Sequence, residues 1–131
     1  MDKFLTGRRI LVVEDEMLIV LMIEDMLEDM GCEAVTTAAT ANKALAAIAA
    51  QTFDAAMLDM NLDGKDSLAV ADALAAHAVP FVFCTGNTGN NKREDHRERP
   101  VLRKPFSEED LATALARLLS PDELATKIMP R

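Results

Sequence analysis

The chain has 131 residues, a formal net charge of −8, half its residues hydrophobic and 27% charged. That is the size of a single domain, able to bury about 68% of its unfolded surface without covalent staples, and too apolar for a disordered chain. The acidic balance argues against a nucleic-acid backbone as partner. Cys32 and Cys84 lie far apart in sequence, form no metal-ligand pattern and fit a reducing compartment as buried, inert thiols. The longest apolar run, residues 17–23, is too short for a bilayer, and no cleavable signal precedes it. The expectation is one cytoplasmic domain, with a core over residues 8–119 and a tail over 120–131, that engages neither membrane nor nucleic acid.

Residues 10–13 (Ile-Leu-Val-Val) form a short β-branched run that stops at Glu14, Asp15 and Glu16, which predicts a buried strand ending in acids. Residues 17–30 predict a helix with Ile19, Met22, Ile23, Met26, Leu27 and Met30 as its core stripe and Gly31 at its C-terminal cap. A second strand is expected over 32–36. A second helix is expected over 40–50, with Ala41, Ala44, Leu45, Ile48 and Ala49 facing inward. Residues 53–58 predict a third strand that again ends in an acid, Asp59, followed by a loop over 61–66 and an Ala/Leu helix over 67–77. Residues 80–84 form the fourth strand and 101–103 the fifth. A last helix opens with a Ser107/Asp110 cap and carries Leu111, Leu115, Leu118 and Leu119 on its core face. Strands alternating with helices, each strand apolar on nearly every residue, predict an α/β doubly wound parallel sheet of five strands. One stretch departs from this alternation. Residues 86–100 contain no apolar residue, so the fourth helix is expected to be short, irregular or replaced by a loop.

Ligands of such sheets bind beyond the carboxyl ends of the strands. Strand one delivers Glu14 and Asp15 there, strand three Asp59, strand four Thr85 and strand five Lys104. Crowded carboxylates repel, so a cation should hold them, and an all-oxygen set favours magnesium. Asp15 and Asp59 are then direct ligands and Glu14 acts through water. Lys104, Thr85 and the metal suit a phosphoryl group, and Asp59 either binds the metal alone or is the nucleophile that takes the phosphoryl group. Each of these residues also has a bland reading, as a helix cap, a turn residue or a dipole-favouring acid. The conjunction of all five at four strand ends does not.

The sequence resembles a bacterial response-regulator receiver domain from about residue 8 to 119. The resemblance rests on Ile10-Leu-Val-Val-Glu-Asp15, Leu58-Asp-Met-Asn-Leu62, Thr85-Gly86 and Lys104-Pro-Phe106. It implies the strand order 2-1-3-4-5 and phosphoryl transfer to Asp59 from a phosphohistidine on a sensor histidine kinase or histidine phosphotransfer protein. It further implies magnesium held by Asp15, Asp59 and the backbone carbonyl of Asn61, with Glu14 beside them. Thr85, Gly86 and Lys104 would contact the phosphoryl oxygens, and the Lys104–Pro105 peptide would be cis. The aromatic residue usual three positions before the lysine is Val101 here, so the usual aromatic switch is not the output mechanism. Phe83 to Gly86 resemble a subgroup with a Phe-Ala-Thr-Gly-x-Tyr motif whose tyrosine would fall at Thr88, and Asp63 replaces the usual proline. Phosphorylation is therefore expected to act on residues 86–100, and Met17 and Leu21 to form a docking face for a kinase helix pair. The chain is expected to be a stand-alone receiver acting on a downstream protein target, and not an enzyme. An interaction module that never takes phosphate is the alternative. A magnesium-dependent aspartyl-phosphate phosphatase fits less well, because haloacid-dehalogenase enzymes need an acid where Asn61 stands. A flavin module fails on the acids after strand one.

Overall fold

The computed structural model describes residues 3–62, 67–86 and 99–119. In chain order its elements are β1 (Arg9–Val13), α1 (Met17–Asp29), β2 (Ala34–Ala38), α2 (Ala41–Ala50), β3 (Ala55–Asp59), α3 (Ser67–Ala76), β4 (Phe81–Thr85), β5 (Val101–Arg103) and α4 (Glu108–Leu119). The expectations for a fourth helix or loop within residues 86–100, and for Asp63, Thr88 and the 120–131 tail, lie outside the described residues, apart from Gly86, Arg99 and Pro100.

All strand pairs are parallel, as the alternation of strands and helices predicts, and their order β2-β1-β3-β4-β5 is the one the family resemblance implies. β1, β3 and β4 are apolar on both faces because both faces are covered. Leu11, Val13, Ala56, Leu58, Phe81 and Phe83 point into a core shared with α2 and α3. Ile10, Val12, Ala55, Met57, Val82 and Cys84 point into a second core with α1 and α4. At about 25 cal/mol per Å², each fully buried Val, Leu, Ile, Met or Phe among them contributes roughly 1.5–3 kcal/mol.

The helix ends follow local chemistry. Thr40 caps α2 by accepting the Lys43 N–H at 3.1 Å. Ser107 and Asp110 cap α4 reciprocally, the Asp110 N–H donating to Ser107 Oγ at 3.0 Å and the Ser107 N–H to Asp110 Oδ2 at 3.2 Å. α1 ends on Gly31 with φ +94°, the Cys32 N–H reaching the Leu27 carbonyl and the Gly31 N–H the Glu28 carbonyl. That turn takes Cys32 out of the second strand, which begins two residues later than expected, at Ala34.

Two core assignments are corrected. Met22 is exposed and Val20 takes a buried place on α1, because Val20, Ile23, Leu27 and Met30 form a narrower stripe than the apolar content suggests. Ala49 is exposed, since Ala41, Ala44 and Ile48 already complete the face of α2 that meets the sheet. Among the described residues, no helix is long and apolar enough to cross a membrane.

Candidate functional site

The carboxyl ends of β1 and β3 are adjacent in the sheet, so the acids that follow them converge. Val13 pairs with Leu58, which sets Glu14 beside Asp59. The Glu14 N–H donates to the Ala38 carbonyl of β2 at 3.0 Å, extending the ladder one residue past β1. One carboxylate oxygen from each of Glu14, Asp15 and Asp59 lies within 4.8 Å of the others. Glu14 and Asp59 are each only 2% exposed, whereas Asp15 faces solvent. Glu16 sits at the N-cap of α1 but its side chain makes no cap hydrogen bond. Instead, the Glu16 N–H donates to Glu14 Oε2 at 3.2 Å, which ties the start of α1 to the acid cluster at the strand end.

Lys104 closes the site from the other side. Its backbone N–H donates to the Thr85 carbonyl at 2.7 Å, continuing the β4–β5 pairing of Thr85 with Arg103. Its Nζ reaches Glu14 Oε1 at 2.9 Å and Asp59 Oδ1 at 3.3 Å. Burial raises the Glu14 carboxyl above its ordinary range; the Lys104 hydrogen bond opposes this and the Asp59 charge adds to it. Burial alone would lower Lys104, but the two carboxylates more than offset it and hold the ammonium above its ordinary value. Cys84 pairs with Asp59 across the β3–β4 ladder, and burial pushes its thiol up to about 12, which leaves it an inert thiol.

Asn61 follows β3, and its backbone N–H donates to Asp59 Oδ1 at 3.0 Å. Thr85 is buried at the end of β4. Gly86 after it is exposed, and a Cβ there would meet nothing within 4 Å. The Lys104–Pro105 peptide is cis. Met17 and Leu21 lie on the first two turns of α1, immediately after the acids, and are 67% and 50% exposed. Leu18 and Met22 are exposed beside them, enlarging the apolar face beyond the two residues the sequence singled out. At about 100° per residue these four fall on one side of α1, opposite Val20, Ile23 and Leu27. The sequence reading also passed over Ser67, whose only signal was a serine opening α3.

Three carboxylates with one ammonium leave an unbalanced negative charge, and an all-oxygen donor set at this spacing fits a hard divalent cation.

A family model, the response regulator receiver domain, matches residues 10–116. The solution structure of SdrG from Sphingomonas melonis Fr1 is 48% identical, with a TM-score of 0.75, over 86% of this chain and 96% of that one. The receiver domain of the sensor histidine kinase PA1611 from Pseudomonas aeruginosa PAO1, with a magnesium ion coordinated in its active-site cleft, is 29% identical at a TM-score of 0.77, over 88% and 99% of the two chains. The transcriptional regulatory protein PdtaR of Mycobacterium tuberculosis (strain CDC 1551 / Oshkosh) is 29% identical over 112 residues, 82% of this chain and 55% of PdtaR. The sensor protein GacS of Pseudomonas syringae pv. syringae is 28% identical over 114 residues, 79% of this chain and 12% of GacS. The chain therefore spans only part of the length of either curated relative. A family model that enters at the first buried residue of β1 and leaves inside α4, laid over a sheet of this order, gives the assignment: the chain belongs to the response regulator receiver domain family.

Proposed function

We propose that the chain accepts a phosphoryl group on Asp59 from the phosphohistidine of a sensor histidine kinase or histidine phosphotransfer protein, and that the phosphorylated state changes its binding to a downstream protein. Receiver domains are signalling domains, and this one is homologous both to response regulators and to receiver domains of sensor kinases. The observation that carries the reading is the convergence of Glu14, Asp15 and Asp59 within 4.8 Å, with Lys104 Nζ 3.3 Å from Asp59. Asp59 is the acid of the cluster on the central strand β3 and is buried, with Asn61 and Lys104 donating to it.

In the reaction, an Asp59 carboxylate oxygen attacks the phosphorus of the donor. The new O–P bond forms as the P–N bond to the donor histidine breaks, and the departing imidazole keeps the electron pair and takes a proton from solvent. Magnesium, held by Asp15, Asp59 and the Asn61 carbonyl with Glu14 beside them, supplies charge neutralisation when bound. Lys104 moves from the carboxylates to a phosphoryl oxygen, and the Thr85 hydroxyl and Gly86 N–H donate to the others. The apolar side of α1 around Met17 and Leu21 adjoins the acids, and is the surface proposed to meet the donor protein.

Intact mass after incubation with a small acyl-phosphate donor, with and without magnesium, beside an Asp59→Asn control, tests the reading. One magnesium-dependent phosphoryl adduct, absent in the control, is expected. No adduct from either a small donor or a phosphohistidine donor would overturn it in favour of a phosphate-free interaction module.

A further inference from the structure

Ser67, the first residue of α3, carries a hydroxyl that is nearly buried, the residue being 7% exposed. Its Oγ donates to the Met60 carbonyl oxygen at 3.1 Å, across seven residues of chain. That carbonyl belongs to the peptide group joining Met60 to Asn61. The other end of the same peptide is the Asn61 N–H, which donates to Asp59 Oδ1 at 3.0 Å. The Met60 N–H is held as well, by the Cys84 carbonyl of β4 at 2.9 Å. The peptide behind Asp59 is therefore gripped at its oxygen by α3, and offers its N–H to the carboxylate.

We propose that Ser67 is a positioning residue for Asp59, acting through the Met60–Asn61 peptide. The physical reason lies in the softness of the group it steers. The torsion about the Asp59 Cβ–Cγ bond is broad and roughly two-fold, so the carboxylate plane is set by its hydrogen-bond partners and not by a rotamer well. A donor to Oδ1 that is itself fixed in space sets that plane. A hydrogen bond to the carbonyl of a peptide also polarises its N–H, which strengthens the donation to Oδ1. Attack on phosphorus needs the carboxylate held in line with the scissile bond, and small angular errors are costly in rate. Without the Ser67 hydroxyl the peptide can tilt, which weakens the Asn61 donation and leaves Lys104 as the other partner of Oδ1 among the described residues. This inference rests on the reading of Asp59 as the phosphoacceptor.

The test compares Ser67→Ala with Val70→Ala in the full chain. Alanine is a better helix former than serine, so Ser67→Ala keeps α3. Val70→Ala opens a cavity under the same helix, at a residue 0% exposed, and removes no polar contact. Two readings are taken: the rate of phosphorylation by phosphoramidate with magnesium, followed by intact mass, and the Asn61 amide resonance in 1H–15N spectra. Ser67→Ala is expected to phosphorylate about fivefold more slowly, the loss of one oriented hydrogen bond, and to shift the Asn61 amide proton upfield. Val70→Ala is expected to stay within about twofold in rate and to leave that resonance in place. A Ser67→Ala rate within twofold of wild type, an unmoved Asn61 amide in that variant, or equal slowing by Val70→Ala would each overturn the positioning role. The amide reading needs no phosphorylation. A wild-type chain that takes no phosphoryl group, or an Asp59→Asn chain that still takes one, would instead show that the acceptor assignment is at fault.

Discussion

Replacing Ala78 by glycine is expected to stabilise the fold, and the structure supplies both the reason and an internal control. α1 and α3 end in the same way. At α1 the Cys32 N–H bonds the Leu27 carbonyl at 3.0 Å and the Gly31 N–H the Glu28 carbonyl at 2.9 Å; at α3 the Val79 N–H bonds the Leu74 carbonyl at 2.9 Å and the Ala78 N–H the Ala75 carbonyl at 3.0 Å. Both are Schellman turns, whose penultimate residue must take a left-handed conformation. At α1 that residue is Gly31, with φ +94°; at α3 it is Ala78, with φ +59°. A residue with a Cβ pays roughly 1–2 kcal/mol for that conformation. Glycine escapes the strain but loses about 0.4–1 kcal/mol more chain entropy on folding. Ala78 is exposed, so its methyl group gives up no burial. The net gain is about 0.5–1 kcal/mol, worth roughly 2–5 °C in Tm at this chain length. The reverse change, Gly31→Ala, adds both strain and collision, because a Cβ there would lie 2.8 Å from Thr6 Oγ1 and 2.9 Å from Lys3 Cβ. It is expected to cost about 2 kcal/mol or more. Thermal and urea unfolding followed by circular dichroism measure both. An unchanged or lowered Tm for Ala78→Gly would refute the argument from the left-handed turn.

Lys104→Met removes the ammonium that occupies Glu14 Oε1 and Asp59 Oδ1. Magnesium affinity is expected to rise by about tenfold, a difference of about 1.4 kcal/mol, while phosphorylation by a small donor slows; calorimetry is the suitable titration, since the chain has no Trp or Tyr. Glu14 has a folded-state pKa raised above its ordinary 4.5, so the folded protein binds its proton more tightly than the unfolded one. Its contribution to stability is full below the ordinary value and is lost as pH rises through the raised one. The stability of the wild type relative to Glu14→Gln is therefore expected to decline over that window, in magnesium-free unfolding curves taken at successive pH values, and a flat difference would contradict it. Leu21→Glu places a charge on the apolar side of α1 and is expected to slow phosphotransfer from a phosphohistidine donor protein without slowing a small phosphodonor. Equal slowing of both would count against the docking surface.

Most of the elements were legible because β1, β3, β4 and β5 are short apolar runs with a polar residue at or just past their exits; the strand order came from the family resemblance, since no run names its neighbours. The errors have particular causes. The second strand was set two residues early, since Cys32 belongs by composition to the strand but by hydrogen bonding to the end of α1. The third and fourth strands run one residue past their apolar runs, because Asp59 and Thr85, polar groups at the strand ends, still complete the ladder. Met22 was placed in the core because an apolar helix gives no local signal of which apolar side is covered. The converging acids could be listed from strand ends alone. The pairing of Lys104 with Glu14 could not, since it depends on how far β5 and β1 lie apart across two intervening strands. Ser67 was illegible for a similar reason: its partner is a backbone carbonyl, which leaves no mark in sequence.

The proximity of Lys104 to two carboxylates explains how such a cluster persists in a buried setting and why it is poised to change. The two buried carboxylates, Glu14 and Asp59, would repel strongly in a low-dielectric site, and one ammonium offsets only part of the charge of the cluster they form with the solvent-facing Asp15. A divalent cation brings the cluster to neutrality, and in doing so competes with Lys104 for Glu14 and Asp59. On the proposed reading, converting the Asp59 carboxylate to an acyl phosphate replaces one negative charge by nearly two and places the added charge further out from β3. The ammonium then has a stronger partner beyond the carboxylates than among them. The Lys104 N–H is tied to the Thr85 carbonyl at 2.7 Å, so the residue whose ammonium would follow the added charge is anchored to the end of β4. On that reading the change at the acids is read at the end of β4, where the Thr85 hydroxyl and the Gly86 N–H are proposed to meet the phosphoryl oxygens.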